Sequence, residues 1–270
     1  MRINSQKLFL SIIFFIFCFG FLGAFKHSLQ QPQTVYVTLK LGQGYWWINT
    51  PNPPIPLIES LKPNSQAKDL LGHTIATINQ VQTFPTLKDG KIINNVYVQL
   101  KLKVTQRNQS YYFDRNKVKI GEPITIEFPN LSLTGSVISL TQTKPKTNLQ
   151  TFKIKLIKQL SFPEEFEQIK IGDSFIQNQN TLFTITHKSC KPTHHIARDS
   201  YGNVTPNTII DLCFLELEGL IQLTPSSLGY VFGQETIVKP GSLITLSTNN
   251  SYLINYIVTS LQQQPSQTKE

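Results

Sequence analysis

Four short phrases in this chain share one pattern: Leu61-Lys62-Pro63-Asn64-Ser65, Val118-Lys119-Ile120-Gly121-Glu122, Ile169-Lys170-Ile171-Gly172-Asp173 and Val238-Lys239-Pro240-Gly241-Ser242. After the second and fourth copies the text runs in parallel, 124–140 against 244–261. A repeat of this length is a statement about architecture: the chain carries two related units, 33–141 and 150–262. Each phrase precedes a run with strand character, so its glycine is read as the positive-φ residue of a tight turn that launches the strand.

The amino terminus imposes the second constraint. Residues 8–25 contain no charge and only Ser11, Gly20 and Gly23 as non-greasy interruptions. As a helix these positions would span roughly 27 Å, close to the hydrocarbon thickness of about 30 Å. The best cleavage candidate, Leu22-Gly23-Ala24, places Leu where a signal peptidase needs a small residue. Phe17 before Cys18 likewise disfavours a lipoprotein signal. An uncleaved anchor within 1–28 is therefore the expectation. Arg2 and Lys7 lie on one side and Lys26 on the other, which keeps the start in the cytoplasm and sends the bulk outside the cell membrane. No later apolar run is long enough for a second pass.

The remainder reads as β-rich. Only 15% of residues are charged, and Ile, Val, Thr, Tyr and Phe recur between Gly and Pro punctuation. The formal charge of +9 falls to +7 outside once Arg2 and Lys7 are subtracted, since no acid precedes Phe25. Most lysines alternate with apolar residues, as in Leu100-Lys101-Leu102-Lys103-Val104 and Phe152-Lys153-Ile154-Lys155-Leu156. That places them on the solvated face of half-buried sheets, where they also discourage edge pairing. No basic stripe with interleaved aromatics points to nucleic acid.

Strands are expected over 34–41, 73–83, 95–104, 124–127 and 135–140, and in the second unit over 151–157, 183–187, 209–217, 244–247 and 252–261. Asp89-Gly90 marks a turn, and the proline-rich stretch 49–56 a stiff extended loop. Residues 263–270 are expected to form a disordered tail. The fold class is mainly β: a transmembrane helix followed by two tandem small β-barrel or β-sandwich modules.

The order of strands, Lys-x-Gly turns and Gly-x-Ile/Val steps behind one amino-terminal span resembles the bacterial family catalogued as domain of unknown function 4330. It is carried by Gly72-His73-Thr74-Ile75, Lys119-Ile120-Gly121-Glu122, Gly135-Ser136-Val137, Lys170-Ile171-Gly172-Asp173 and Val238-Lys239-Pro240-Gly241. The chain departs from the pattern at Pro63-Asn64-Ser65 and at Ile254-Asn255-Tyr256, where glycine is replaced. The resemblance implies a small β-barrel or β-sandwich on a membrane anchor, and no activity, cofactor or catalytic residue.

Two clusters could carry chemistry. His187, Cys190, His194 and His195, with Asp199 beyond them, gather transition-metal ligands in a segment longer than its counterpart 85–94. The H-x2-C-x3-H-H spacing matches no standard zinc motif, so a flexible polar surface loop without metal is the primary reading. Cys190 and Cys213 are the only exported pair. If the segment joins an antiparallel hairpin, Ile209 faces Cys190, leaving Cys213 about 13 Å along the strand and beyond disulfide reach. Unpaired thiols are thus expected, with Cys213 in the core beside Leu215 and Leu217. Tyr45-Trp46-Trp47 is the second cluster: adjacent strand residues point to opposite faces, so both tryptophans cannot enter one core. Packing under the proline loop or an aromatic platform for glycan or peptide are the alternatives.

No catalytic signature is present: neither Gly-x-Ser-x-Gly nor His-Glu-x-x-His nor a phosphate-cradling loop occurs. The expectation is a non-enzymatic, single-pass envelope protein without cofactor, acting as scaffold or docking element for another envelope protein. A glycan- or peptide-binding module and a periplasmic adaptor of a secretion or efflux system are the alternatives. The latter normally includes a long helical hairpin, and no sustained heptad pattern is found.

Overall fold

The computed structural model describes residues 32–42, 53–88, 90–145, 148–198, 201 and 204–265. Residues 8–25 and Tyr45, Trp46 and Trp47 lie outside the described residues. No helix among the described residues is long and apolar enough to cross a membrane.

Two nearly closed, barrel-like antiparallel sheets follow one another. The first contains β1 (Gln33–Leu41), β2 (Gln66–Lys68), β3 (Thr74–Lys88), β4 (Lys91–Arg107), β5 (Ser110–Phe113), β6 (Asn116–Val118), β7 (Pro123–Phe128) and β8 (Leu131–Thr141), with α1 (Ile55–Ser60) between β1 and β2. The second contains β9 (Gln150–Ser161), β10 (Ser174–Gln177), β11 (Asn180–Arg198), β12 (Val204–Ser226), β13 (Gly229–Phe232), β14 (Thr236–Val238), β15 (Leu243–Ser247) and β16 (Tyr252–Gln263), with α2 (Pro163–Gln168) between β9 and β10. The strand orders are β2-β3-β4-β1-β8-β7 and β10-β11-β12-β9-β16-β15. They are the same order twice, as the duplication requires.

The four phrases make one turn four times. In each, the third residue of the Lys-x-Gly or Lys-x-Asn step has positive φ: Asn64 at 68°, Gly121 at 87°, Gly172 at 93° and Gly241 at 86°. Its amide donates to a strand carbonyl, Asn64 to Ile78 (2.7 Å), Gly121 to Val137 (2.7 Å), Gly172 to Ile185 (2.9 Å) and Gly241 to Val258 (2.7 Å). The same four strand residues donate back to Ser65, Glu122, Asp173 and Ser242 at 2.9–3.0 Å. A turn with positive φ at its third residue favours Pro before it and Gly or Asn at it, which is what Pro63-Asn64 and Pro240-Gly241 supply. The repeated phrase is thus a structural pin that fixes register at four places.

Alternation fills the barrels. Val35, Val37, Leu39, Leu100, Leu102 and Leu133 are fully buried in the first module, and Ile154, Leu156, Leu215, Leu217 and Ile221 in the second. Lys101, Lys103 and Lys153 face out between them. In the second module the Asn249 amide donates to the Ser174 carbonyl at 2.9 Å, closing the gap between β15 and β10. All ten expected strands form, mostly longer than expected. Of the proline stretch, Pro53 and Pro54 lead into α1 with Pro54 as its extended N-cap, and Ile55 and Pro56 are helical rather than loop; residues 49–52 lie outside the described residues. The expected tail does not begin at 263, since β16 reaches Gln263 and the Gln264 amide donates to the Thr151 carbonyl at 2.9 Å; residues 266–270 lie outside the described residues.

Candidate functional site

The segment expected as a flexible loop is a β-hairpin arm. Residues 187–192 pair in unbroken register with 218–213 along β11 and β12, and pairing continues to Arg198 opposite Val204. In that stretch His187 and Cys190 fall on opposite faces of the sheet, because side chains alternate and no bulge intervenes. His187 is exposed, opposite Glu218 on the outer face, whereas Cys190 packs against the second core. The side chains of His194 and His195, and all of Asp199, lie outside the described residues.

The expectation of unpaired thiols is corrected: Cys190 and Cys213 are joined as a disulfide with Cα atoms 5.6 Å apart. The error lay in the register. Ile209 faces Thr193 rather than Cys190, and residues 210–212 then form a bulge, so Cys213 pairs with Pro192, two residues along from Cys190 and on the same face. Cys213 is also buried beside Leu215 and Leu217, as the sequence suggested. With its sulfur in the disulfide, Cys190 has no thiolate to give a metal. Cys190 is therefore not available as a ligand beside His187.

The outer face around His187 is a charge ladder. Lys153 pairs with Glu218 at 2.7 Å and Lys155 with Glu216. The Lys153 hydrogen bond is the main cause that holds the Glu218 carboxyl below its ordinary value, with Lys155 and His187 adding to it. These groups lie at the surface, where such pairs contribute little.

Sequence reasoning did not find the junction between the modules. The first module's β3–β4 hairpin reaches the second and places Phe84 and Tyr97 inside its core. The Phe84 ring stands edge-on to Phe232 (5.5 Å between centroids), Phe175 (6.0 Å) and Tyr97 (6.1 Å). It also lies over Gly233, where an added Cβ would meet the ring at 3.0 Å. Around it, Glu235 accepts from the Tyr97 hydroxyl at 2.9 Å and pairs with Lys40, whose ammonium lies 5.7 Å from the Tyr97 ring centre. Burial, then the Glu235 charge, pushes the Tyr97 hydroxyl well above the ordinary phenol range. Gln177 donates to Thr83 O at 2.8 Å, Asn178 to Val81 O at 3.1 Å, and Gln234 to Gln82 Oε1 at 2.7 Å. Isolated Phe, Tyr and Lys on an otherwise alternating strand carried no sign of this role.

A second polar cluster lies within the second module. Glu165 on α2 accepts from Lys158 (2.7 and 2.9 Å), Ser161 (2.7 Å) and the fully buried Tyr256 (2.8 Å). Burial alone would raise the Glu165 carboxyl, but these three partners hold it below its ordinary value. Burial and the Glu165 charge in turn push the Tyr256 hydroxyl up. The cluster joins helix, strand and barrel wall and is structural in character. Among the described residues no group of three or more His, Cys, Asp or Glu could hold a metal ion. No family model, curated protein or solved structure matches the chain.

Proposed function

We propose that this chain is a single-pass membrane protein whose two tandem β modules stand outside the cytoplasm as a rigid scaffold or docking element for another envelope protein. The observation that carries the reading is the Cys190–Cys213 disulfide. Disulfides form and persist in oxidising compartments and are rare where glutathione keeps thiols reduced. Together with the uncharged run 8–25 it favours export behind an anchor. The rigid-scaffold part rests on the junction, where Phe84 is buried in the neighbouring module's core rather than in its own. We retain the resemblance to the domain of unknown function 4330 family as part of the proposal.

Thiol accounting on the full chain tests the reading. The sequence holds three cysteines, Cys18, Cys190 and Cys213. Alkylation of cells under denaturing, non-reducing conditions should modify only Cys18, and alkylation after reduction all three. Carbonate extraction should leave the protein in the membrane pellet. Three free thiols in cells, or release of a form lacking the residues before Phe25, would contradict export behind an uncleaved anchor.

A further inference from the structure

Between the modules lies a cavity of about 190 Å³. Its first wall is a single row across four strands: Gln80 pairs with Gln99, Gln99 with Thr38, and Thr38 with Ser139. The second module faces this row with Gln177, Gln222, Thr224 and Gln234. Pro145, Leu149, Leu182 and Phe84 supply the apolar surface. Among the described residues no lining residue is ionisable.

Gln177 Nε2 donates to the Thr83 carbonyl at 2.8 Å, which holds this side chain of the second module against the hairpin of the first and fixes one end of the cleft.

We infer that this cleft binds a neutral sugar ring. Side-chain amides each present donors and an acceptor, the combination that vicinal hydroxyls need, while the half-buried Pro145 and Leu149 offer apolar surface to the C–H face of a pyranose. The absence of charge disfavours phosphates, carboxylates and cationic ligands. A volume of about 190 Å³ equals the liquid volume of roughly six waters, on the scale of one ring rather than a chain of them. The equivalent row of the second module faces solvent and carries His187, Glu218 and Lys155 instead. Uncharged amides are therefore a feature of the cleft and not of the repeat. This inference is independent of the anchor and of the scaffold reading.

The test uses the full chain in detergent, labelled on glutamine side-chain amides, titrated with N-acetylglucosamine and glucose and, as charged control, glucuronate. The expected result is saturable movement of cleft amide resonances with at least one neutral sugar and at least tenfold weaker binding of glucuronate. Gln222→Met and Gln80→Met, neither of which bonds across the junction in the contacts above, should each weaken sugar binding at least fivefold without lowering the melting temperature. No movement with either neutral sugar would show a cleft that holds water only and would overturn the inference. Equal binding of glucuronate, or binding unchanged in both variants, would overturn it as well.

Discussion

The two modules share strand order and turns yet differ at matched positions, and the differences follow from what each face meets. Positions after the same bulge in β3 and β11 are Gln80 in the first module and His187 in the second. Their partners are Gln99 against Glu218, and the next strand carries Thr38 against Lys155. The first row is covered by the other module and carries no charge, whereas the second faces water and is ionised. Desolvating a charge is costly unless it is fully paired, which fits the amides of the covered row and the pairing of the neighbouring buried Lys40 with Glu235. The cores show the same logic with size. Ala76 and Leu100 of the first barrel correspond to Phe183 and Gly219 of the second, where the Phe183 ring occupies the space of the missing side chain. One small-large pair has been traded for its reverse.

Breaking the junction should have the largest effect. Phe84→Ala removes a buried ring from the other module's core and should cost about 4 kcal/mol. Denaturant unfolding followed by fluorescence and by far-UV circular dichroism should then give two non-coincident transitions. Coincident transitions at the wild-type midpoint would mean that Phe84 does not couple the modules.

The size exchange gives the next test. A Cβ at Gly219 would stand 2.6 Å from the Thr184 carbonyl and 2.7 Å from the Phe183 ring. Gly219→Leu should therefore destabilise by about 3 kcal/mol. Adding Phe183→Ala recreates the Ala/Leu pair of the first barrel and should recover at least half of the loss, read as a double-mutant coupling energy. No recovery would refute the equivalence of the two cores.

Removing the disulfide by the double change Cys190→Ser, Cys213→Ser should cost about 2–3 kcal/mol, as expected for a loop closed across a sequence separation of 23. The loss belongs to the second module alone, and hydrogen exchange should rise along β11 and β12 while β3 and β4 stay protected.

The smallest effects are those of pH. Glu165 has its folded-state value lowered from 4.5, so its contribution is present above that value and is lost as pH falls through the lower folded value. Glu165→Gln should flatten the acid limb by about 1 kcal/mol. Tyr97 and Tyr256 shift the other way from 10.0, so their contribution is present below pH 10 and declines as pH rises beyond it. Tyr97→Phe should blunt that alkaline limb, and an unchanged profile would contradict the hydrogen bond from the buried Tyr97 to Glu235.

Much of the fold was legible because alternation and the Lys-x-Gly phrases report directly on register. What escaped was local. Strands β5 and β6 turn on Asn108-Gln109 and Asp114-Arg115, and β10 leads into β11 through Asn178-Gln179, all with positive φ at both residues. Such turns normally announce themselves with Asn-Gly or Asp-Gly, and here no glycine marks them. The disulfide was missed because neither the register of the hairpin, with Ile209 opposite Thr193, nor the three-residue bulge after it can be seen in spacing alone. The junction was missed because Phe84 and Tyr97 look like ordinary strand aromatics until a second module lies beside them.

The central claim is that duplication produced two barrels locked into one rigid body, and differential scanning calorimetry of the full chain in detergent tests it most directly. The account predicts a single transition whose calorimetric and van't Hoff enthalpies agree. Two resolved transitions, or a calorimetric enthalpy about twice the van't Hoff value, would show that the modules unfold independently and that the junction does not unite them.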